Sequence, residues 1–483
     1  MQKIKKFHIK SFKGVYPEIE IDLEENNDSK NLVIYGENGS GKTSIMKAIF
    51  LLLEASNQDV QDKLKQYKNI FSSKEASIEV IFDDNSSYLI NETTSSINDP
   101  LISAIFKTKS FLSYKDIMKI YQSDVSNLYP VLVDDILANE LIPPENKFTF
   151  NEAYYLVKRV EQIESLRKRK PETLTAIEKD IIDEYRLKSS RKSKALNYAG
   201  DKALKDINTA LEIVLEKIKP DINKFIKDFG YDFELDFIYE NLKKQELAVT
   251  ATMKDFCITT PNTTFNEAKL TAISISIYFA FLKNYKPINA KLLFLDDILI
   301  GMDLGHRIPI LKILDENFND YQIFLFTYDY FWNSVIKKKY EDGKKWKFIK
   351  ILNSNESIQK EEKNNIQKSE EYLNKGDYKA SVVYLRTEFE YILRRYAKHK
   401  KSPIRIKYIE NPELYKTDDF WNGIKNFKEI KHLKHDIEFY RKNVLNNSVH
   451  LLCKPEYGCE IRGAIKAVKE LQSIISTLIQ NLK

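Results

Sequence analysis

The sequence predicts an α/β domain that is split by a helical insertion and followed by an all-α C-terminal domain. Three observations support this prediction. A short apolar strand, a glycine-rich loop and an amphipathic helix follow one another over residues 31–50. A second apolar strand, in the other half of the chain, ends in two carboxylates. Helical spacing of apolar residues dominates much of the region between them and the chain after residue 355.

The glycine-rich loop has the pattern of a phosphate-binding loop. The pattern G-x-x-x-x-G-K-[ST] is met by Gly36, Glu37, Asn38, Gly39, Ser40, Gly41, Lys42 and Thr43. Glycines let backbone N–H groups turn toward phosphate oxygens, and the start of the next helix adds partial positive charge. Lys42 would reach the β- and γ-phosphates, and the Thr43 hydroxyl would hold Mg²⁺. A glycine turn that binds nothing is the weaker interpretation, because strand, loop and helix stand in the required order.

The second strand carries the acidic residues that such a loop needs. Residues 291–295 are mostly apolar and lead into Asp296 and Asp297. Asp296 would coordinate Mg²⁺ directly or through water, and Asp297 would polarise a water that attacks the γ-phosphate. Alone, this stretch would be better interpreted as a buried strand with an acidic turn. Together with the phosphate loop, it predicts a site that hydrolyses a nucleoside triphosphate.

These motifs resemble the SMC/RecF-like branch of the ABC ATPases, in which inserted helices split the ATPase domain. The stretch Ile4–Gly14 resembles the strand and N-F-K/R-G opening of that branch, and Glu18–Leu23 resembles its second strand. The phosphate loop is close to the GENGSGKTS typical of these proteins. The resemblance covers about residues 1–355. It implies an ABC-type ATPase head that uses ATP and Mg²⁺, with catalytic roles for Lys42 and Asp297.

The resemblance places an ABC signature, which contacts ATP, at Asn266 and Glu267, just before the helical stretch 271–280. The match is imperfect, because Asn266 replaces the usual serine and Ala268 replaces a glycine. Asn266 could still donate a hydrogen bond to a γ-phosphate. An asparagine that only caps an apolar helix remains the alternative.

Further family positions follow the acidic pair. Asp303 resembles the D-loop aspartate, and the strand 322–327 leads into a switch segment made of Thr327, Tyr328 and Asp329. Transporter-like ABC ATPases usually carry a switch histidine in this segment. This chain has none there, and RecF-type proteins resemble it in that respect. The second carboxylate of the acidic pair, Asp297, is an aspartate rather than the usual glutamate, as it also is in RecF-type proteins. An aspartate is one methylene shorter, so we expect slow turnover that suits a switch.

The family resemblance also implies self-association. In ABC ATPases the signature of one subunit closes on ATP held by the phosphate loop of another. A chain with one of each is therefore expected to form a homodimer or higher oligomer, or to pair with a related chain.

Composition is ordinary for a soluble globular protein. Hydrophobic residues make up 43% and charged residues 30% of the chain. Its 3 cysteines suit a reducing compartment and do not indicate a disulfide framework. The sequence has no run of eighteen apolar residues and no signal-peptide pattern, so we expect a cytoplasmic protein with no membrane contact.

Positive charge is concentrated in part of the chain. Residues 356–483 contain 25 Lys and Arg against 18 Asp and Glu. Basic clusters occur at 167–170, 191–194, 337–339, 344–347 and 398–401. They could neutralise nucleic-acid phosphates, or they could be solvated helix faces with acidic neighbours.

After a predicted linker at 353–357, residues 369–386 resemble the opening of HEPN-like helical domains, in which a Gly-Asp-Tyr turn joins two helices. Arg441 and His450 resemble the HEPN ribonuclease motif, in which four to six residues separate the arginine from the histidine. Here eight residues separate them. A ribonuclease site is one interpretation, and ordinary structural residues of a docking domain are the favoured one.

Four domains are predicted: residues 1–109, 110–250, 251–355 and 356–483. Resemblance to OLD-like and Septu-type ATPases suggests anti-phage defence or DNA repair, in which ATP-driven dimerisation gates an effector such as a partner nuclease. The alternatives are an ATPase-regulated HEPN ribonuclease toxin and an ATP-clamped scaffold without catalysis.

Overall fold

The computed structural model describes residues 2–108, 110–122, 150–184, 191–239, 247–284, 289–340, 345–354, 357–361, 364–397, 416–446 and 458–481. Two compact units divide the chain, residues 1–361 and residues 362–483. The first unit is mixed α/β and the second is helical where it is described. This confirms the predicted fold class of an α/β domain with a helical C-terminal region.

The strands of the first unit are β1 (Ile4–Phe12), β2 (Val15–Asp22), β3 (Glu24–Glu25), β4 (Asp28–Ser29), β5 (Asn31–Gly36), β6 (Ser77–Phe82), β7 (Ser87–Asn91), β8 (Phe111–Ser113), β9 (Glu234–Ile238), β10 (Ala248–Met253), β11 (Phe256–Ile258), β12 (Leu292–Asp296), β13 (Gln322–Thr327), β14 (Trp346–Ser354) and β15 (Ser357–Glu361). Its helices are α1 (Lys42–Glu54), α2 (Gln61–Gln66), α3 (Pro100–Lys107), α4 (Tyr114–Gln122), α5 (Phe150–Lys168), α6 (Ala176–Glu184), α7 (Arg191–Asp228), α8 (Pro261–Thr264), α9 (Glu267–Asn284), α10 (Leu304–Asn317) and α11 (Tyr330–Lys339). In the described parts of both units, no helix is long and apolar enough to cross a membrane.

A mainly parallel sheet forms the centre of the first unit. Its strand order is β15-β14-β5-β13-β12-β8, and β15 is the antiparallel edge strand. Every residue of β12 and β13 is buried, as expected for central parallel strands that are covered on both faces. The register pairs Asp296 with Phe326, and Thr327 with Tyr35. The carboxyl ends of β5, β12 and β13 therefore lie at the same edge of the sheet.

A second sheet has the antiparallel order β2-β1-β6-β7, shares a hydrophobic core with the first, and is linked to it by the buried side chain of Gln322. Gln322, at the start of β13, accepts a hydrogen bond from the Ile4 N–H at 2.7 Å. Its amide nitrogen donates to the carbonyl oxygens of Ile4 at 2.8 Å and Lys30 at 3.0 Å. Because a buried backbone group without a partner is costly, this amide fixes how β1 meets the central sheet.

The helical insertion is built on the long helix α7. Its buried positions recur at intervals of three and four residues, which makes one apolar face. This face packs against α5 and α9. The carbonyl of Phe229, just after α7, lies 3.1 Å from Nδ1 of His306 on α10, and the His306 ring stacks on Tyr231 at 4.4 Å. The insertion is thereby attached to the core of the α/β unit.

The structure corrects one detail of the sequence analysis and confirms another. The predicted linker at 353–357 is wrong, because Asn353 pairs with Ile358 and Ser354 pairs with Ser357 in the β14–β15 hairpin. Cross-strand hydrogen bonds thus hold a segment whose polar composition suggested a loop. The described residues of 110–250 are mostly helical, as predicted, and the region also contributes β8, which pairs with β12 in the central sheet, and β9, which pairs with β10.

The second unit contains α12 (Asn365–Asn374), α13 (Tyr378–Ala397), α14 (Thr417–Ile424), α15 (Lys434–Tyr440), a π-helix (Arg441–Asn446) and α16 (Gly458–Asn481). Gly376 has a φ of 76° in the turn between α12 and α13, a conformation that glycine adopts without steric cost. The core of this unit surrounds the buried side chains of Phe389, Trp421 and Leu471. The helix–turn–helix predicted over residues 369–386 is confirmed.

Candidate active site

The phosphate loop joins β5 to α1, and its shape depends on glycine. Gly39 and Gly41 have φ angles of 83° and 99°, in the left-handed region that side chains disfavour. At Gly36 a Cβ would come within 2.9 Å of the Ile351 carbonyl oxygen, so a larger residue would not fit. Within the described chain, no side chain caps the start of α1. The first turn of this 13-residue helix can therefore receive an anion.

Lys42 is buried at the start of α1 and is folded onto its own loop. Its Nζ donates hydrogen bonds to the carbonyl oxygens of Gly36 at 2.7 Å and Glu37 at 3.1 Å. Burial lowers the pKa of Lys42, while the nearby carboxylates of Asp297 and Asp296 act in the opposite direction. A partly desolvated ammonium beside a loop of backbone amides favours an anionic ligand such as a phosphate group.

Thr43 and Asp296 meet although 253 positions separate them in the sequence. The Thr43 hydroxyl donates to Oδ2 of Asp296 at 2.7 Å. The other carboxylate oxygen, Oδ1, is buried and has no hydrogen-bond partner among the described residues. Burial raises the pKa of Asp296, and the Thr43 hydrogen bond and the charge of Lys42 oppose that rise. Hydroxyl and carboxylate oxygens are ligands that Mg²⁺ prefers, so these two residues fit that ion.

Asp297 lies beside this pair in an unusual backbone conformation. Its φ is 51°, in the left-handed region that aspartate tolerates better than most residues. Its Oδ1 accepts a hydrogen bond from the Tyr328 N–H at 3.1 Å. Burial, and then repulsion from Asp296, raise the pKa of Asp297 to about 6. A carboxylate with a pKa close to neutral is suited to accept a proton from water.

The raised pKa of Asp297 predicts a pH-dependent stability. The folded chain holds this proton more tightly than the unfolded chain, so the free energy of unfolding falls as the pH rises from 3.8 to about 6. Asp297→Asn removes the charge and should raise the free energy of unfolding at neutral pH by about 1–2 kcal/mol, after allowance for solvent screening. Urea unfolding measures the difference, which should vanish below about pH 3, where Asp297 is protonated in both the folded and the unfolded chain.

Asp255→Asn is the matched control for that substitution. Asp255 is exposed at a hairpin tip and also has a left-handed φ, of 68°. Equal stability of the wild type and Asp297→Asn at neutral pH would contradict the burial of a charged Asp297.

The predicted signature residues are exposed at the start of α9. Oδ1 of Asn266 accepts from the Lys269 N–H at 3.1 Å and so caps this 18-residue helix. The carboxylate of Glu267 lies against Gly301, where a Cβ would come within 2.9 Å of it. Glu267 also accepts a hydrogen bond from the Tyr114 hydroxyl at 3.4 Å. In the part of the chain that the structure describes, no hydrogen bond joins Asn266 to the phosphate loop.

The aspartates of the predicted D-loop and switch segments, Asp303 and Asp329, cap helices. Oδ1 of Asp303 accepts from the His306 N–H at 3.2 Å at the start of α10. Asp329 caps α11 through the Trp332 N–H at 3.0 Å, and its own N–H donates to the Thr327 hydroxyl at 3.1 Å. Tyr328 is partly exposed next to Asp297, to which its backbone donates.

Sequence reasoning missed several residues that the fold brings to this edge of the sheet. Ser113, the last residue of β8, pairs with Asp296. Its N–H and hydroxyl donate to Asp116 at 2.9 Å and 2.6 Å, and the charge of Asp116 contributes to the raised pKa of Asp296. Three strand residues are too few for a periodic signal. Arg307 was also missed, although its place one helical turn after Asp303 puts both on one face of α10.

An open groove lies beside the phosphate loop. Gly14 connects the two, because its N–H donates to the Ser44 hydroxyl at 3.2 Å. The groove is lined by Lys13, Gly14, Gln66, Tyr67, Lys68, Asn69, Ile70 and Phe71. The Lys13 ammonium lies 3.8 Å from the centre of the Tyr67 ring, and Ile70 is 88% exposed. A concave surface with aromatic and aliphatic side chains is suited to a flat, partly apolar group.

The second unit places Arg441 in the π-helix, where it is buried and forms an ion pair with Asp418. His450 lies outside the described residues, so a joint site with Arg441 stays a prediction. In the first unit, two arginines of the basic cluster at 167–170 pair with carboxylates. Arg167 contacts Glu164 at 2.5 Å, and Arg169 contacts Glu178 at 2.7 Å.

Part of the chain is similar to a known protein family. Residues 6–229 match a family model described as an AAA domain, a span that contains the phosphate loop. No curated protein matches the chain.

Solved structures with similarity to the chain include SMC head domains and RecF. The Pyrococcus furiosus Smc head domain with an extended coiled coil, bound to the C-terminal domain of ScpA, has 15% identity and a TM-score of 0.44, over 74% of this chain and 96% of that one. The recombination mediator RecF, as RecF-ATPrS, has 12% identity and a TM-score of 0.42, over 74% and 98%. The Thermotoga maritima SMC head domain has 11% identity and a TM-score of 0.37, over 74% and 98%.

Proposed function

We propose that this chain is an SMC/RecF-like ABC ATPase that binds ATP with Mg²⁺ and hydrolyses it. The observation that carries the proposal is the contact between Thr43 and Asp296 at 2.7 Å, which brings the end of the phosphate loop to the acidic pair. Lys42 and Asp297 lie beside that contact, close enough for the charge of each to affect the pKa of the other.

Each side chain has a distinct task in this proposal. Lys42 and the backbone amides of the loop bind the β- and γ-phosphates. Thr43 and Asp296 would hold Mg²⁺, which neutralises phosphate charge when it is bound. Asp297 accepts the proton of the attacking water, and its raised pKa makes this transfer favourable close to neutral pH. The groove around Tyr67 would hold the nucleoside part of ATP.

The direct test is phosphate release from ATP by the full chain with Mg²⁺. Tight nucleotide binding without any phosphate release would favour the ATP-clamped scaffold. Absence of both binding and release would remove the proposal.

We propose further that ATP promotes dimerisation through the signature. Asn266 and Glu267 are exposed at the N-terminus of α9, so they are accessible to a nucleotide held by another copy. Asn266→Arg places a long cation at this position and should block association by steric conflict. Mass measurement with a non-hydrolysable ATP analogue should show a dimer for the wild type and a monomer for Asn266→Arg.

Asn57→Arg, which changes an exposed asparagine after α1, serves as the control and should dimerise normally. A wild-type chain whose mass is unchanged by the analogue would contradict the composite site.

The biological output that we propose is control of an effector in anti-phage defence or DNA repair. The second unit, residues 362–483, has its own hydrophobic core and is a suitable module for contacting an effector protein or nucleic acid. The test is phage protection or damage survival in cells that carry the chain with its neighbouring genes. Equal protection and survival with and without the chain would reject this role.

A further inference from the structure

Arg307 connects the two loops that surround the proposed catalytic aspartate. It lies in the first turn of α10, and its side chain is largely buried, with 19% exposed. Its Nε donates to the Met302 carbonyl oxygen at 2.6 Å. Its Nη1 donates to Oδ2 of Asp329 at 2.6 Å. One planar guanidinium therefore holds two segments that are distant in sequence.

Both of these segments are connected to Asp297. Met302 belongs to the loop that begins at Asp297 and leads to α10. Asp329 directly follows Tyr328, whose N–H donates to Oδ1 of Asp297 at 3.1 Å. The contacts close a ring that runs from Asp297 through Met302, Arg307, Asp329 and Tyr328 back to Asp297.

Asp329 can complete this ring because its two carboxylate oxygens have different partners. Oδ1 accepts from the Trp332 N–H at 3.0 Å and anchors α11, while Oδ2 accepts from Arg307. Asp297, Arg307, Tyr328 and Asp329 also line one common cavity. The ring is thus fixed at α10 by Arg307 and at α11 by Asp329.

We infer that Arg307 is a positioning residue that holds Asp297 in the orientation needed to activate water. This inference rests on the proposed hydrolysis and deepens it. The left-handed backbone of Asp297, with a φ of 51°, must be maintained by its surroundings. A general base also works only within a narrow range of distance and angle. Arg307 restrains Asp297 from both sides, through its own loop and through its hydrogen-bond donor.

The test is the substitution Arg307→Lys. Lysine keeps the positive charge, but its single ammonium cannot replace both guanidinium hydrogen bonds, to the Met302 carbonyl oxygen and to Asp329. We expect kcat for ATP hydrolysis to fall about tenfold to a hundredfold, and KM to change by less than about threefold.

Arg169→Lys is the matched control. Arg169 also bridges a carboxylate and a carbonyl, those of Glu178 and Thr173, but it lies in the helical insertion. The Arg169→Lys substitution should leave kcat and KM for ATP hydrolysis unchanged.

A second measurement does not depend on hydrolysis. Hydrogen exchange of the Tyr328 amide should be at least about tenfold faster in Arg307→Lys than in the wild type, because the ring is opened. If the Tyr328 amide exchanges faster in Arg307→Lys but the wild-type chain never releases phosphate, the ring of contacts through Arg307 is supported and the proposed ATPase activity is rejected. Unchanged kcat together with unchanged exchange would overturn the positioning role, and unchanged kcat together with faster exchange would overturn it as well.

Discussion

Lys42→Ala is expected to weaken ATP binding by about a hundredfold or more, since two or more charge-assisted hydrogen bonds to phosphate are lost. In the structure the ammonium already lies within the loop, bonded to the Gly36 and Glu37 carbonyl oxygens. Alanine leaves the backbone amides of the loop in place but removes the only side-chain cation of the phosphate-loop pattern. Calorimetric titration with ATP and Mg²⁺ measures the change in affinity.

Lys312→Ala provides the control for that substitution. Lys312 is exposed on α10 and forms only a loose pair with Glu316 at 3.8 Å. Its removal should leave ATP affinity unchanged. Wild-type affinity in Lys42→Ala would mean that the loop does not bind phosphate.

Asp297→Asn is expected to reduce the rate of ATP hydrolysis by about a hundredfold to ten-thousandfold, because an amide cannot accept the proton of the attacking water. The Oδ1 atom that accepts from the Tyr328 N–H is preserved in asparagine, so the local backbone should be retained. ATP affinity should stay within about threefold of the wild type, since Lys42, Thr43 and Asp296 are untouched. Phosphate release and calorimetric titration on the same preparation separate the two effects.

Asp255→Asn again provides the matched control, because it makes the same exchange at an exposed left-handed aspartate. It should hydrolyse ATP at the wild-type rate. Full hydrolysis by Asp297→Asn would remove Asp297 from the catalytic assignment and leave Asp296 as the remaining carboxylate of the site.

The two substitutions are informative as a pair. Lys42→Ala should lose binding and therefore hydrolysis, whereas Asp297→Asn should lose hydrolysis alone. Because it binds ATP but does not hydrolyse it, the Asp297→Asn chain should hold ATP for long periods. If ATP drives dimerisation through Asn266, this variant should accumulate as a dimer with ATP itself, without a non-hydrolysable analogue.

Much of the phosphate loop was predictable from the sequence because its shape depends on local sterics. Gly39 and Gly41 occupy left-handed positions, and a strand before them and a helix after them follow from short apolar patterns. The same holds for the buried strands β12 and β13, and for the helix–turn–helix around Gly376.

Other features depend on partners that are distant in sequence. The segment 353–357 has the composition of a linker, yet its described residues belong to paired strands, in which Ser354 lies opposite Ser357. The short strand β8 is recognisable only because it pairs with β12. Local propensity is weak in such segments, and cross-strand hydrogen bonds determine their conformation.

The sequence alone determined which side chains could bind phosphate, hold Mg²⁺ and activate water, since these capacities belong to residue types in a local pattern. Only the tertiary structure decided their electrostatic state and orientation. The pKa of Asp297 rises to about 6 because burial and Asp296 act on it together. The orientation of the Asp297 side chain depends on the Tyr328 N–H and on the guanidinium of Arg307. Desolvation and charge interactions are set by whatever the fold places within a few ångströms, and that neighbourhood is assembled from segments far apart in the chain.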